Sequence, residues 1–194
     1  MIRDGLLSAC GLLVEKTGGP PVNTYDIPES FKPAAAGTGD DLYRRSLYTF
    51  WRRTGPAPVL ESFDVPKRVV CVAKRDATNT PLHAFVLMNG PQFVEASRVL
   101  AEKLLEACPD RVDDALGRAF ELLTSRRPDE KEVGILRRMH AEQAAWYHCR
   151  QEDALALVAV GDRRPTASLW AADVAALAGV INALMNYDGC VVKR

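Results

Sequence analysis

Three prolines divide the chain after residue 80 into segments with helical periodicity. Pro81 follows Thr80, Pro91 follows a glycine, and Pro128 precedes two acidic residues. Proline is favoured in the first turn of an α-helix, where its missing N–H costs no hydrogen bond, and a threonine just before it can cap the helix with its hydroxyl. Apolar residues follow each proline at helical spacing. The sequence therefore predicts helices that begin at Pro81, Pro91 and Pro128, the first of them buried and the second reaching about Ala107.

Further helices are indicated by apolar residues three and four positions apart. Trp146 is expected on the inward face of the helix that starts at Pro128. The other expected helices cover 2–16, the stretch from Asp40 or Asp41 to Gly55, 110–123, 152–160 and a last segment capped by Ser168. These segments predict an all-α fold of about seven helices, with little or no sheet.

Two stretches lack this periodicity. Residues 22–41 are rich in Pro, Gly, Ala, Thr and Asp, which is typical of a long extended loop on the surface. Residues 56–79 are predicted to be irregular, with one short strand at 68–73 as the only candidate for sheet. A chain of 194 residues with 47% hydrophobic residues can bury one ordinary core. We therefore expect a single helical domain over 1–194.

The charge balance argues against two classes of partner. The chain has 25 Lys and Arg residues against 25 Asp and Glu, a net charge of +0. A general nucleic-acid binder or a protein of anionic membranes carries excess positive charge. The arginine pairs 44–45 and 52–53 flank an aromatic stretch and could form a phosphate patch, but net neutrality favours pairing with Asp40, Asp41 and Glu61. No apolar run approaches the 18 residues of a membrane-spanning helix.

Cysteine and histidine usage gives no sign of a metal or cofactor. The five cysteines lie far apart, with no CxxC pair and no CxxCH haem attachment motif, so we expect them to be small buried residues. His140 and His148 stand two helical turns apart, which is too far for simple joint chelation. Asp4 and Glu15 interrupt the apolar N-terminal run, so no export signal is predicted in this chain. We expect no metal and no cofactor.

One polar cluster in the irregular segment is a candidate site. A cysteine close to Arg and Lys can be a reactive thiolate, and a histidine can serve as its base. The alternative is a buried, inert cysteine in the apolar run VVCVA, with the polar side chains bonded to loop backbone. The residues of this candidate catalytic site are Asp64, Cys71, Arg75, Asn79 and His83.

The same region carries a resemblance to a known family. The motifs YRRSLYTFWRRT, FDVPKR with a cysteine, and TNTPLHAFVLMNGPQFVEASRVLAEKLL resemble a planctomycete domain of unknown function, of the 1553 type. The opening IRDGLLSACGLLVEKTGGPPV, the middle AFELLTSRRPDEKEV and the closing Trp170, Asn182 and Asn186-Tyr187-Asp188 are similar to it as well. The resemblance therefore extends over nearly the whole chain.

The chain departs from that family's usual pattern at three positions. His83 stands where glutamine is usual, Gly90 where aspartate is usual, and Gly189 where an acidic residue is usual. The first change weakens the case for His83 as a catalytic base shared by the family. The resemblance implies an exported or periplasmic parent protein that also bears a cytochrome c module, and it implies that this chain is a C-terminal piece of such a protein or a short reading frame.

Two functions follow as hypotheses. The first is a non-catalytic accessory domain that packs against a neighbouring or partner domain, one that bears a cytochrome. It predicts an exposed apolar or aromatic patch that includes Trp51 or Phe63. The second is a hydrolase with its site in the segment 61–83, which predicts a pocket where at least two of the candidate residues converge. The sequence leaves open whether the chain is an enzyme, and it does not indicate an oligomeric state.

Overall fold

The computed structural model describes residues 2–27, 33–52, 57–66, 70–74, 78–109 and 111–191. Within these ranges the fold is all-α, with seven helices of seven or more residues and two shorter ones, which confirms the predicted class. In chain order the helices are α1 (Ile2–Ala9), α2 (Pro58–Ser62), α3 (Pro81–Asn89), α4 (Pro91–Ala107), α5 (Val112–Thr124), α6 (Glu130–Cys149), α7 (Gln151–Val158), α8 (Ala171–Met185) and α9 (Asp188–Val191).

Helix α8 forms the centre of the core. Its sequence is apolar on every side, a pattern that requires burial on every side. It packs against α4, α6 and α7, and also contacts α3 and α5. Gly179 allows α6 to approach closely, since a Cβ there would lie 3.0 Å from Oε1 of Gln143. None of the helices in the described ranges is long and apolar enough to cross a membrane.

Two of the three proline-marked helix starts are confirmed, whereas α6 begins at Glu130, two residues after Pro128. Pro81 and Pro91 are the first residues of α3 and α4. Thr80 occupies the N-cap position of α3, but its side chain makes no capping hydrogen bond. At α6 the cap is Asp129, whose carboxylate accepts the Glu132 N–H while the Glu132 carboxylate accepts the Asp129 N–H. Ser168 is not the cap of the last long helix, because α8 begins only after Trp170.

The helix predicted from Asp40 or Asp41 to Gly55 is wrong in the described residues. The chain forms two single 3₁₀ turns there, Gly39–Tyr43 and Ser46–Tyr48, separated by extended backbone. Helix α1 supplies the cause. The Arg3 guanidinium binds the carbonyls of Leu42 and Arg44 at 2.7 and 2.9 Å, and the Asp4 carboxylate accepts the Ser46 N–H. Tertiary hydrogen bonds thus replace the i to i−4 bonds of a helix.

Helix α1 is also shorter than predicted and ends at Ala9 rather than near residue 16. The N–H groups of Leu12 and Leu13 both return to the Leu7 carbonyl, and Gly11 adopts a left-handed φ of 66°. The ammonium of Lys103 on α4 then binds the carbonyls of Cys10 and Gly11 at 2.9 and 3.2 Å. A cation on the free carbonyls stabilises a helix end.

In the segment 22–41, the described residues 22–27 and 33–38 form no helix, as predicted, but they do not lie wholly on the surface. Val22, Thr24 and Ile27 are buried. Isolated β-bridges join Val22 to Thr49 and Ile27 to Ala34. Residues 68 and 69 of the strand predicted at 68–73 lie outside the described residues, and 70–73 form no strand.

The burial of several side chains differs from what the sequence predicts. Trp146 is exposed, whereas an inward position was expected. Of the cysteines, Cys10 is buried, Cys108 and Cys190 are half-buried, and Cys71 and Cys149 are exposed. The expectation of buried thiols therefore holds fully only for Cys10. Arg44 is buried and donates to the carbonyls of Lys16, Gly18 and Pro20, and no ion pair joins it to an acid among the residues that the structure describes.

Candidate functional site

The candidate residues of the irregular segment meet at the start of α3. Asp64 follows α2 with a left-handed φ of 56°. Its carboxylate accepts the backbone N–H of Thr78 at 2.8 Å and the Thr78 hydroxyl at 2.8 and 3.0 Å. His83, one turn into α3, places Nε2 3.9 Å from Oδ2 of Asp64. The structure therefore brings Asp64 and His83 together.

The geometry of this pair favours a structural role. A separation of 3.9 Å is too long for a hydrogen bond. His83 is only 4% exposed, and its ring lies 5.4 Å from the Phe63 ring, whereas a general base must reach the proton that it removes. Both Asp64 oxygens accept hydrogen bonds from Thr78. Asp64 therefore ties the end of α2 to the beginning of α3.

The remaining candidate residues lie apart from this pair. Cys71 is exposed, so its interpretation as a buried, inert thiol is wrong. Within the described part of the chain, no hydrogen bond joins Cys71 to His83, and no cluster of His, Cys, Asp and Glu could hold a metal ion. Asn79 is exposed beside the N-cap of α3. Arg75 lies outside the described residues.

A second histidine–carboxylate pair lies at the surface between α6 and α8, and it was not predicted from the sequence. Nε2 of His148 is 3.0 Å from Oδ1 of Asp173, and the His148 ring lies 4.5 Å from the Trp170 ring. His140, two turns earlier on α6, is partly buried, and burial lowers its pKa. The partner residues come from α8 and the turn before it, some 25 positions further along the chain, so spacing within α6 could not indicate the pair.

The most distinctive feature of the region is the outer face of α3. Leu82, Phe85 and Met88 are 52%, 64% and 52% exposed. At 100° per residue they form one stripe with Phe85 in the middle. The opposite side, with His83 and Leu87, is buried. In the connector that leads to α3, Val70 and Val72 are also exposed, at 73% and 53%.

This apolar α3 face (Leu82, Phe85 and Met88) was not the patch that the accessory-domain hypothesis predicted. Phe63 is buried, and Trp51 is half-buried. The sequence does indicate that α3 needs a covering surface, because PLHAFVLMN is apolar on every side and such a pattern predicts a helix that is covered on every side. The described part of the chain covers only one side of α3.

Comparison with known proteins gives one match. The profile of PSD1, described as a protein of unknown function (DUF1553), matches residues 1–140 of the 194. No curated protein and no solved structure matches the chain. The match takes in the Asp64–His83 pair, the whole of α3 and α4, and the first half of α6. The chain therefore belongs to the DUF1553 family of proteins of unknown function.

Proposed function

We propose that this chain is a helical interaction domain whose apolar α3 face docks on an apolar surface of another protein domain. The observation that carries the proposal is the exposure of Leu82, Phe85 and Met88 in one stripe on a helix that is otherwise built for complete burial. Large exposed apolar patches on soluble proteins mark interaction sites. The sequence resemblance adds the kind of partner, a domain that bears a cytochrome, within an exported or periplasmic parent protein.

Apolar burial provides the driving force for this docking. Burying a fully exposed Leu, Phe or Met side chain is worth about 1.5–3 kcal/mol, so covering the 52–64% of these side chains that is exposed is worth roughly half of that each, before the cost of association. The stripe carries no charged side chain, so docking on an apolar surface leaves no buried charge unpaired. These terms favour an apolar partner over a nucleic acid.

The size of the face indicates a folded partner domain rather than a short peptide. A helix of nine residues is about 13 Å long, whereas a stable interface covers roughly 800 Å² on each partner. The α3 face alone is too small for such an interface. The partner must also contact neighbouring surface, and the exposed Val70 and Val72 provide apolar area in the connector before α3.

The direct test is site-specific photo-crosslinking followed by reconstitution. The photoreactive residue p-benzoylphenylalanine replaces Phe85 in one variant and Leu155, an exposed leucine on α7, in a matched control. The crosslinked partner is then purified and titrated with the wild-type chain and with Phe85→Asp and Leu155→Asp. We expect one discrete adduct at position 85, and a Kd raised at least tenfold by Phe85→Asp but not by Leu155→Asp.

Two results would contradict the proposal. One is equal crosslinking at positions 85 and 155. The other is a purified complex whose Kd does not change with Phe85→Asp. An adduct between two copies of this chain, together with a dimer in sedimentation that Phe85→Asp dissociates, would also reject a partner domain in favour of self-association.

The alternative of a hydrolase is favoured by one observation, the proximity of Asp64 and His83 in a segment with an exposed cysteine. Thiol labelling of the native protein separates the two functions. Cys149, also exposed, serves as the control thiol, and Cys71→Ser identifies the signal. An interaction domain predicts the same pH dependence of labelling at both cysteines, whereas a reactive thiolate predicts that Cys71 is labelled much faster than Cys149 below pH 8.

A further inference from the structure

A groove of about 250 Å³ lies between α5, α6 and α8, and none of its lining residues belongs to α3. Most of its wall is apolar side chain. The volume falls just below the roughly 300–1,000 Å³ of sites for drug-sized ligands, so it suits a smaller molecule. Its lining includes Phe120, Glu132, Ile135, Ala183, Asn186 and Tyr187.

The charged groups at the rim of the groove are already paired. Oε1 of Glu132 accepts from Arg126 at 2.5 Å and from the Tyr187 hydroxyl at 3.1 Å. Oε2 of the same carboxylate accepts from Arg126 and from the Asp129 N–H. The Arg126 hydrogen bonds also lower the pKa of Glu132 to about 2, so the rim holds one anion and one cation at neutral pH. An ionised ligand would therefore find no unpaired opposite charge among these groups.

The lining amide adds little polarity to the groove. Nδ2 of Asn186 donates to the Asn182 carbonyl at 3.3 Å. Oδ1 of Asn186 is buried and accepts no hydrogen bond from the described residues. Because this oxygen is shielded, the surface that a ligand would meet is set by the apolar side chains.

We propose that this groove binds a small, neutral, mostly apolar molecule, of the size of a two- or three-ring aromatic compound. Two observations select this class, namely an apolar wall around a volume of 250 Å³ and a rim whose carboxylate, guanidinium and phenol satisfy one another. Apolar cavities of this scale take up neutral aromatic molecules because burial of apolar surface is favourable and no polar group loses a partner. The proposal does not depend on the function proposed for α3.

The test uses the neutral dye N-phenyl-1-naphthylamine, whose fluorescence rises in an apolar environment, and the anionic dye 1-anilinonaphthalene-8-sulfonate. We expect saturable binding of the neutral dye with one site per chain, and weaker binding of the anionic dye. Ala183→Trp places an indole in the groove and should raise the Kd of the neutral dye at least tenfold. Phe85→Asp, on the α3 face, should leave that Kd unchanged.

Other outcomes overturn the proposal. If Phe85→Asp abolishes the signal while Ala183→Trp does not, the dye binds the α3 face. If both dyes bind equally well, the groove does not select neutral molecules. No saturable signal means that the groove takes no small ligand and is left to an apolar side chain of a partner. Should Ala183→Trp fail to fold, Ile135→Trp provides the same test, because Ile135 lines the groove and is 47% exposed.

Discussion

Helices α3 and α4 are neighbours in the chain, yet α4 buries charged side chains, whereas α3 leaves large apolar side chains exposed. On α4 the charged residues Glu95, Arg98 and Glu102 are 3%, 0% and 6% exposed. On α3 the apolar residues Phe85 and Met88 are more than half exposed. Buried charge is tolerated only where it is paired and hydrogen-bonded, and exposed apolar surface is tolerated where it is small or will be covered by a partner.

The buried charges of α4 hold distant segments together. Glu95 accepts the Tyr43 hydroxyl and the Arg163 N–H, both at 2.7 Å. Arg98 donates to Glu102 at 2.6 Å and to the Arg163 carbonyl at 2.8 Å. Burial, together with the hydrogen bond to Glu95, raises the pKa of Tyr43, so its phenol remains a donor. The polarity of a side chain therefore does not by itself decide whether it is buried. A charged side chain is buried where other segments provide hydrogen-bonding partners, and an apolar side chain stays exposed where no segment covers it.

The largest effect is expected at Arg98. Arg98→Met removes the cation between two buried carboxylates, and breaking a buried pair from one side costs about 3–5 kcal/mol. Urea unfolding measures the free energy of unfolding. The control is Arg137→Met, since Arg137 forms an exposed pair with Asp113 and should show no measurable change. Equal effects of the two substitutions would show that the α4 network does not hold the segments together.

The next largest effect on the free energy of unfolding is expected on the buried side of α3, and a much smaller one on its exposed side. Leu87, 1% exposed, packs in the core, so Leu87→Ala should cost about 2–5 kcal/mol of unfolding free energy. Phe85→Ala, two positions earlier on the outer face, should change it by less than about 0.5 kcal/mol. Both values come from urea unfolding of the isolated chain. A large cost at Phe85 would mean that the α3 face is part of the core rather than free for a partner.

A smaller effect on stability is expected at Gly161, in the loop whose Arg163 is hydrogen-bonded to Glu95 and Arg98 of α4. Gly161 has a φ of 104°, and a Cβ there would collide with the Glu95 carboxyl group. Gly161→Ala should therefore destabilise the fold by about 1–3 kcal/mol. Gly134→Ala is the matched control in the middle of α6, where a Cβ meets nothing within 4 Å and should stabilise by about 0.5–1 kcal/mol. Thermal unfolding of the two variants should shift in opposite directions.

The smallest effect concerns the exposed rim of the groove. Because the pKa of Glu132 falls from its ordinary 4.5 to about 2 in the folded chain, its stabilisation is complete above pH 4.5 and is lost as the pH falls towards 2. We expect Glu132→Gln to lower the thermal midpoint slightly at pH 7 and by less at pH 2.5. Glu142→Gln, at an exposed position further along α6, is the control for removing one carboxylate charge from the same helix.

The sequence predicted those parts of the fold that depend on local signals. The prolines at 81 and 91 and the acidic start of α6 gave correct helix beginnings, because a missing N–H and a capping carboxylate act within one turn. The candidate site was predicted only in part. Asp64 and His83 do meet, but the sequence could not show that His83 is buried or that Thr78 binds both carboxylate oxygens, since these follow from the packing of α2 against α3.

By itself the sequence determined an all-α fold and the apolar character of α3 and α8. It also determined that the chain lacks the excess positive charge that a general nucleic-acid binder carries. The tertiary structure alone decided which of those apolar surfaces is covered: α8 is enclosed by α4, α6 and α7, while α3 keeps its outer face exposed. The tertiary structure also decided that residues 39–48 form 3₁₀ turns instead of an α-helix, because Arg3 and Asp4 bind backbone groups of this segment. The physical reason is that the periodicity of a segment shows which of its faces can be buried. Only the packing of distant segments determines whether such a face is covered.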